Sequence, residues 1–164
     1  MLGRAPIADT VEHSRAFLAP LFDISGTVVD LGSGGGVPGL VIAWMRPDVK
    51  VVLVDRRATR TDHLQRLVHR LDREGQITVL TTEAASLPQL LEGPANAVVA
   101  RSFGSPASVL KTAAMLLAGD GVIVVSEPPE STAERWPGVL LVRFGLTRRA
   151  QPDSRVAVFA RVLP

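Results

Sequence analysis

Glycines and two acidic residues at fixed spacing are the part of this sequence best suited to chemistry. An apolar run ends in Asp30, the loop Gly32-Ser33-Gly34-Gly35-Gly36 follows, and a second apolar run ends in Asp55. Glycines let the chain turn sharply and approach a ligand closely, because they carry no Cβ atom. A carboxylate at the end of the next strand is placed to accept both hydroxyls of a ribose. The pattern therefore predicts a nucleoside pocket.

The loop spacing favours S-adenosylmethionine over a dinucleotide as the ligand. Counted from Gly32, the dinucleotide pattern Gly-x-Gly-x-x-Gly requires glycine at position 37, where the chain has Val37. Pro38 suits the first position of a following helix, where its missing N–H is not needed. An ordinary glycine-rich turn is the alternative. The predicted cofactor-binding residues of this region are Asp30, Gly32, Ser33, Gly34, Gly36, Val37 and Asp55.

The hydrophobic pattern predicts strands that alternate with helices up to residue 126. The predicted strands cover 28–31, 49–54, 77–80, 97–100 and 122–126, and the predicted helices cover 8–21, 38–46, 59–74 and 106–117. Gly75 is the expected C-cap of the third helix. Such alternation favours a parallel sheet with right-handed crossovers.

Two apolar runs, at 139–144 and 156–162, predict an antiparallel hairpin that closes the sheet, after a poorly patterned stretch from 128 to 137. The expected fold is therefore α/β and Rossmann-like, with a mostly parallel seven-stranded sheet. We expect one domain over 1–164, with a short helical segment at 1–25 and the core at 26–164.

Arginines follow two of the predicted strands, at the edge where ligands lie in parallel sheets. Arg101 follows the fourth strand, where its guanidinium would pair with the methionine carboxylate of the cofactor or with a substrate phosphate. A structural salt bridge to an acidic strand end is the alternative. Arg56, Arg57 and Arg60 follow the second strand and are candidates for RNA contact.

Composition narrows the possible chemistry. The chain has 164 residues, 46% of them hydrophobic, a net charge of +2 and no cysteine. Methylation of pyrimidine C5 normally needs a cysteine nucleophile, so transfer to an atom with a free lone pair is favoured. The three histidines lack metal-ligand spacing, and no metal is expected. No apolar run approaches the roughly 18 residues that cross a bilayer, so no membrane partner and a cytoplasmic location are expected.

Several stretches resemble the RsmG (GidB) family, the small-subunit ribosomal RNA guanine-N7 methyltransferases. Glu12-His13-Ser14 is similar to the His-bearing helix ahead of the family's first strand. The other matching residues are 30–40, Arg46-Pro47-Asp48, Leu53-Val54-Asp55 with Arg60 and Leu64, and Val99-Ala100-Arg101-Ser102-Phe103. The likeness covers about residues 12 to 126.

The resemblance implies a class I methyltransferase fold, S-adenosylmethionine as cofactor and guanine N7 of 16S ribosomal RNA as acceptor. The ribosomal RNA or small ribosomal subunit is the implied partner. The family's cofactor contacts carry over to Gly32, Val37, Ala84, Ala85 and Arg101, with Asp55 on the ribose. Arg101 is also the candidate catalytic residue.

Four positions depart from the family pattern: Thr59 replaces a lysine, Ala85 replaces a glutamate, and Glu127-Pro128 replaces a Lys-Gly pair. A methyltransferase for a small molecule and a non-catalytic cofactor-binding or interaction module are the alternative functions.

Overall fold

The computed structural model describes residues 7–128, 135–151, 153 and 155–162. Within these ranges the helices are α1 (Ile7–Arg15), α2 (Gly39–Met45), α3 (Ala58–Arg70), α4 (Leu87–Leu90), α5 (Pro106–Leu116) and α6 (Gly138–Arg143). The strands are β1 (Gly26–Leu31), β2 (Val49–Asp55), β3 (Ile77–Thr81), β4 (Ala95–Ala100), β5 (Leu117–Ser126), β6 (Leu146–Arg149) and β7 (Val156–Arg161). Short 3-10 turns lie at Ala19–Leu21 and Ala84–Ser86. Most of the poorly patterned stretch after residue 128 falls outside the described residues.

All seven strands form one sheet in the order β3-β2-β1-β4-β5-β7-β6. Strands β1 to β5 are parallel, and β7 pairs antiparallel with both β5 and β6. The chain order reverses between β1 and β4, which opens a crevice beyond their carboxyl ends. The predicted Rossmann-like fold with an antiparallel edge is confirmed.

The predicted hairpin was wrong in its first strand. Residues 138–143 form helix α6, and the strand that pairs with β7 is β6, which begins at Leu146. Val142 is 82% exposed, whereas Leu140 and Leu141 pack against the core. One side of this short run is therefore buried and the other is solvated. Gly145, at φ +63°, follows the helix and leads the chain into β6.

Two helix boundaries also differ from the prediction. Helix α3 ends at Arg70 rather than residue 74, and the left-handed conformation near its end belongs to Asp72 (φ 53°) instead of Gly75. Pro38 is the N-cap of α2, one position before the first helical residue. The N-terminal helix is broken as well, because a 3-10 turn at Ala19–Leu21 replaces its last part.

Two hydrophobic layers cover the two faces of the sheet. Successive residues of β4 alternate between them, so that Val98 packs with α5 and Phe159, whereas Val99 packs with α2 and α3. None of the helices in the described ranges is long and apolar enough to span a bilayer.

A buried hydrogen bond joins the end of β1 to the start of α2. Oδ2 of Asp30 accepts the backbone N–H of Gly39 at 2.9 Å, and Asp30 is only 1% exposed. A Cβ atom at position 39 would overlap Leu53 and lie 2.6 Å from Oδ2 of Asp30. Close approach of helix and strand therefore requires glycine at this position.

We predict that Gly39→Ala destabilises the protein by about 1–3 kcal/mol, because the added methyl group overpacks a closed site. Urea unfolding followed by circular dichroism measures the effect. Gly75→Ala is the matched control, since no heavy atom lies within 4 Å of a Cβ atom there. Equal unfolding midpoints for the two variants would contradict this account of the contact.

Candidate functional site

The glycine loop after β1 is held by a buried serine. Oγ of Ser33 donates to the carbonyl oxygen of Asp30 at 2.8 Å and accepts the N–H of Val54 at 2.8 Å. The N–H of Ser33 donates to the carbonyl oxygen of Val54 at 2.8 Å. Ser33 thus fastens the loop to the ends of both central strands, and its side chain supports the pocket from behind.

The glycines of the loop have different structural roles. Gly32 (φ +69°) lies against Phe103, which a Cβ atom would approach to 3.0 Å. Gly34 turns its N–H onto Oδ2 of Asp55 at 3.1 Å. Gly36 (φ +94°) is buried, and a Cβ atom there would overlap Leu40. Gly36 therefore serves packing, whereas Gly32 opens space at the end of β1.

Asp55 is the buried carboxylate at the end of β2. Burial by itself raises the pKa of Asp55, but three hydrogen bonds outweigh it and lower the pKa below the usual value. The donors are the N–H of Arg57 at 3.0 Å, Nη1 of Arg60 at 3.1 Å and the N–H of Gly34. The group is therefore an ionised acceptor, and a carboxylate with about four lone-pair positions can still accept from a ligand.

A first cavity of about 380 Å³ opens beside this carboxylate. Its floor contains Gly32 and Asp55, and Phe103 and Ala84 supply apolar surface. The other lining residues are Val54, Arg56, Arg57, Arg60, Thr82, Glu83 and Ser102. The lining is mostly polar, and Phe103 and Ala84 add apolar surface beside one buried carboxylate, a combination that is suited to a nucleoside.

A second cavity of about 440 Å³ lies on the other side of Ser102, which lines both. Ser102 has φ 56°, a conformation that few non-glycine residues adopt. The cavity is lined by Asp9, Thr10, His13, Arg101, Ser126, Glu127, Pro128 and Arg135. The carboxyl edge of the sheet thus carries two adjoining cavities.

His13 faces the second cavity, and its Nε2 lies 2.9 Å from Oγ of Ser126. Burial lowers the pKa of His13, and the nearby Arg101 and Arg155 guanidiniums lower it further, against an opposing effect of Asp153. The imidazole is therefore neutral at pH 7, and its hydrogen bond ties α1 to the end of β5.

Arg101 makes no hydrogen bond and no ion pair with any residue in the described ranges. The structure thus shows no salt bridge from Arg101 to Asp30 or Asp55, although its charge is close enough to act on the pKa of Asp30. An unpaired guanidinium in a cavity is available for an anionic ligand.

The structure separates the predicted cofactor residues into four groups. Gly32, Asp55 and Ala84 line the first cavity, and Arg101 lines the second. Asp30, Ser33, Gly34 and Gly36 lie behind these residues and shape the loop. Val37 and Ala85 line neither cavity, and Ala85 is exposed.

The three arginines predicted to contact RNA also differ. Arg60 points its guanidinium at Asp55 and is partly buried. Arg56 and Arg57 are exposed at the rim of the first cavity, and Arg56 lies 3.8 Å from Glu83.

Sequence analysis placed neither Arg135 nor His13 at the second cavity. Arg135 lies within the poorly patterned stretch 128–137, so no sequence signal places it at the site. His13 was noted only as part of a resemblance, since helical spacing does not show which cavity its helix faces.

The glycine spacing distinguishes an S-adenosylmethionine loop from a dinucleotide loop less sharply than the sequence analysis expected. Counted from Gly34, the loop does satisfy Gly-x-Gly-x-x-Gly, with its last glycine at position 39. In the structure that glycine packs against Leu53 and Asp30. Its position is therefore explained by packing of helix on strand.

A larger cavity of about 480 Å³ lies at the opposite, amino-terminal edge of the sheet. Thr27, Lys50 and Gln76 are among its lining residues. It is remote from the glycine loop, and among the described residues no group of His, Cys, Asp or Glu side chains suits a metal ion there or elsewhere.

Comparison with known proteins identifies the family. The family model described as rRNA small subunit methyltransferase G (GidB) matches residues 12–134. The chain belongs to the rRNA small subunit methyltransferase G family. It is 33% identical over 138 residues to the Leptothrix cholodnii member, and the alignment covers 80% of this chain and 62% of that protein. It is 35% identical over 109 residues to the Acidothermus cellulolyticus member, covering 66% and 47% respectively.

This chain therefore spans less than two thirds of the length of these methyltransferase G relatives. The match includes the glycine loop, Asp55, Arg101 and Glu127, and it ends one residue before Arg135.

Solved structures show that this member of the family has the class I methyltransferase fold. The mitomycin 7-O-methyltransferase MmcR superposes with a TM-score of 0.72 at 14% identity, covering 94% of this chain and 55% of that one. An rRNA methylase from Streptococcus thermophilus superposes with a TM-score of 0.62 at 16% identity, covering 99% and 100%.

We predict that Asp30→Asn removes a pH dependence of stability. Burial raises the pKa of Asp30 to about 7 from 3.8, so the folded state retains this proton over a range in which the unfolded chain releases it. The stabilisation is complete below about pH 4 and is lost as the pH rises through 7. The unfolding free energy of the variant relative to wild type should therefore improve by up to about 4 kcal/mol between pH 4 and 8.

Urea titrations of both proteins at several pH values measure this difference. Asp120→Asn, at an exposed position of β5, is the control and should follow the wild-type curve. Parallel curves for Asp30→Asn and wild type would show that the buried carboxyl group does not titrate in this window.

Proposed function

We propose that this protein is an S-adenosylmethionine-dependent methyltransferase that acts on small-subunit ribosomal RNA, with guanine N7 as the acceptor atom. The main support for this proposal is that Gly32 and the buried carboxylate of Asp55 line one cavity, in a chain of the methyltransferase G family. A second cavity adjoins it at Ser102 and gives an acceptor direct access.

The residues of the first cavity suit the cofactor. Asp55 supplies an ionised acceptor for the two ribose hydroxyls, and Phe103 and Ala84 supply apolar surface for adenine. Gly32 brings backbone close to the ligand without a side chain. Ala85 replaces the family's glutamate and is exposed, so the adenosine depends more strongly on Asp55.

When bound, S-adenosylmethionine supplies a sulfonium methyl group, whose carbon bonds to the N7 lone pair while the C–S electron pair stays on sulfur to give S-adenosylhomocysteine. The product guanine carries the positive charge, and no proton moves. The protein therefore needs no general base, and its contribution is alignment of the reacting atoms. Arg101 holds the cofactor carboxylate or orients the acceptor from the second cavity.

Positive charge at the cavity rim supports an RNA acceptor. Arg56 and Arg57 are exposed beside the first cavity, and we assign them to phosphate contacts along the RNA backbone. Arg60 was predicted in the same role, but its position on Asp55 favours a role in fixing that carboxylate.

Two measurements test the proposed function. Isothermal titration should show micromolar binding of S-adenosylmethionine and none of NAD. Radiolabelled methyl transfer to small ribosomal subunits, or to deproteinised 16S RNA, should place 7-methylguanine in the RNA digest. Cofactor binding without RNA methylation would favour a small-molecule acceptor, and absence of both would contradict a methyltransferase.

We predict that Asp55→Asn weakens S-adenosylmethionine binding by about 10–100-fold, because charge-assisted hydrogen bonds of 1.5–3 kcal/mol are replaced by weaker ones. Titration calorimetry measures the loss. Asp120→Asn makes the same change at an exposed site and should leave affinity within twofold. Unchanged affinity of the Asp55→Asn variant would show that the ribose does not bind to this carboxylate.

We predict that Arg101→Ala lowers methyl transfer by about 10–100-fold. Its melting temperature should fall by less than about 2 °C, because the side chain has no partner in the described structure. Single-turnover kinetics and thermal melting measure the two quantities. Arg70→Ala, on the exposed face of α3, is the control. Equal losses of activity and stability would instead indicate a structural arginine.

A further inference from the structure

A buried glutamate at the end of β5 organises one wall of the second cavity. The side chain of Glu127 is 3% exposed, and its Oε2 accepts Nη1 of Arg135 at 2.7 Å. Its Oε1 accepts the indole N–H of Trp136 and lies 3.7 Å from Nη2 of Arg148. A buried carboxylate needs such partners. The cluster therefore fixes Arg135 and Trp136 against the sheet.

Arg135 is held along one edge and open along the other. Its Nη1 also donates to the carbonyl oxygen of Ser126 at 3.2 Å, and its guanidinium carbon lies 5.0 Å from the ring centre of Trp136. Trp136 in turn packs edge-on against Phe159 at 4.9 Å. In the described structure Nη2 and Nε of Arg135 make no hydrogen bond, and the side chain is 26% exposed at the cavity.

The charges around the cavity favour an anion. Arg101 and Arg135 both line it, and Arg101 has no partner among the described residues. The lining carboxylates are Glu127, which is occupied by its arginines, and Asp9, which is exposed. A guanidinium with a free Nε/Nη2 edge matches two oxygens of a phosphate group.

We propose that Arg135 binds a phosphate group of the RNA acceptor in the second cavity, and that Glu127 is the positioning residue that holds Arg135 there. This inference rests on the proposed methyl transfer to RNA. Arg135 lies just past the family match, so the assignment comes from the geometry of this chain.

The test compares RNA affinity and cofactor affinity in variants of the 164-residue chain. RNA affinity is measured by filter binding of transcribed 16S RNA over a range of NaCl concentrations. Cofactor affinity is measured by calorimetry with S-adenosylmethionine. Arg135→Ala should weaken RNA binding about tenfold and reduce the slope of log affinity against log salt by about 0.7–0.9, the value of one lost phosphate contact. Cofactor affinity should stay within twofold.

Glu127→Gln separates positioning from simple charge. The change removes one negative charge, so a purely electrostatic role would tighten RNA binding. Because Glu127→Gln weakens the bond that anchors Arg135, we expect RNA binding to weaken about three- to tenfold instead. The variant should raise KM for RNA more than it lowers kcat. Arg135→Lys keeps the charge without the fork and should be intermediate, which preserves the test if Glu127→Gln fails to fold.

Arg149→Ala is the matched control, since it removes an exposed arginine from β6 and should change RNA affinity less than twofold. Identical RNA binding by Arg135→Ala and Arg149→Ala would overturn the inference. So would tighter binding by Glu127→Gln, or a loss confined to S-adenosylmethionine, which would assign Arg135 to the cofactor carboxylate. Failure of the wild type to bind cofactor or transfer methyl groups would contradict the proposed function, while the RNA affinities would still test Arg135.

Discussion

The hydrogen bond between the Asp30 carboxylate and the Gly39 N–H is the constraint on which the site depends. It fixes the angle at which the chain leaves the central strand and enters the first crossover helix. Oδ1 of Asp30 finds no donor among the described residues, so the carboxyl group is buried at a real cost. Together with Ser33, this bond sets the path of the glycine loop, and that path determines where the N–H of Gly34 meets the Asp55 carboxylate.

The reversal of strand order divides the carboxyl edge of the sheet into two environments. On the β2 side, an anionic carboxylate and the apolar surface of Phe103 and Ala84 line the cavity that we propose for the nucleoside of the cofactor. On the β5 side, two guanidiniums and a neutral imidazole form a cavity for an anionic or polar group. Ser102 stands between them in a left-handed conformation at the end of β4. A methyl group needs to travel only a short distance between two such cavities, which is why their adjacency supports transfer chemistry.

The arginines of this chain are specialised by their partners. Arg60 pairs with Asp55 and, with the N–H of Arg57, lowers the pKa of that carboxyl group, whereas Arg155 pairs with Asp153 next to α1. Arg135 is anchored by Glu127. In the family pattern, position 127 is a lysine. Positive charge is thus present at the second cavity, although it comes from a different part of the chain. The small net charge of +2 therefore does not reveal that arginines are concentrated at the carboxyl edge of the sheet.

The sequence by itself determined the parallel core and one side of the site. Strands β1 to β4 follow from apolar runs, and the Gly32 loop and Asp55 are local signals whose spacing places them at neighbouring strand ends. The hairpin prediction was wrong because the short apolar run at 139–144 has no local feature that distinguishes a half-buried helix from a strand. Only the tertiary structure decided that Arg101 has no carboxylate partner among the described residues, that Asp30 holds the N–H of Gly39 while Gly36 serves packing, and that His13, Glu127 and Arg135 share a cavity. Those residues come from α1, the end of β5 and the segment before α6, and a sequence pattern carries no distance between elements so far apart along the chain.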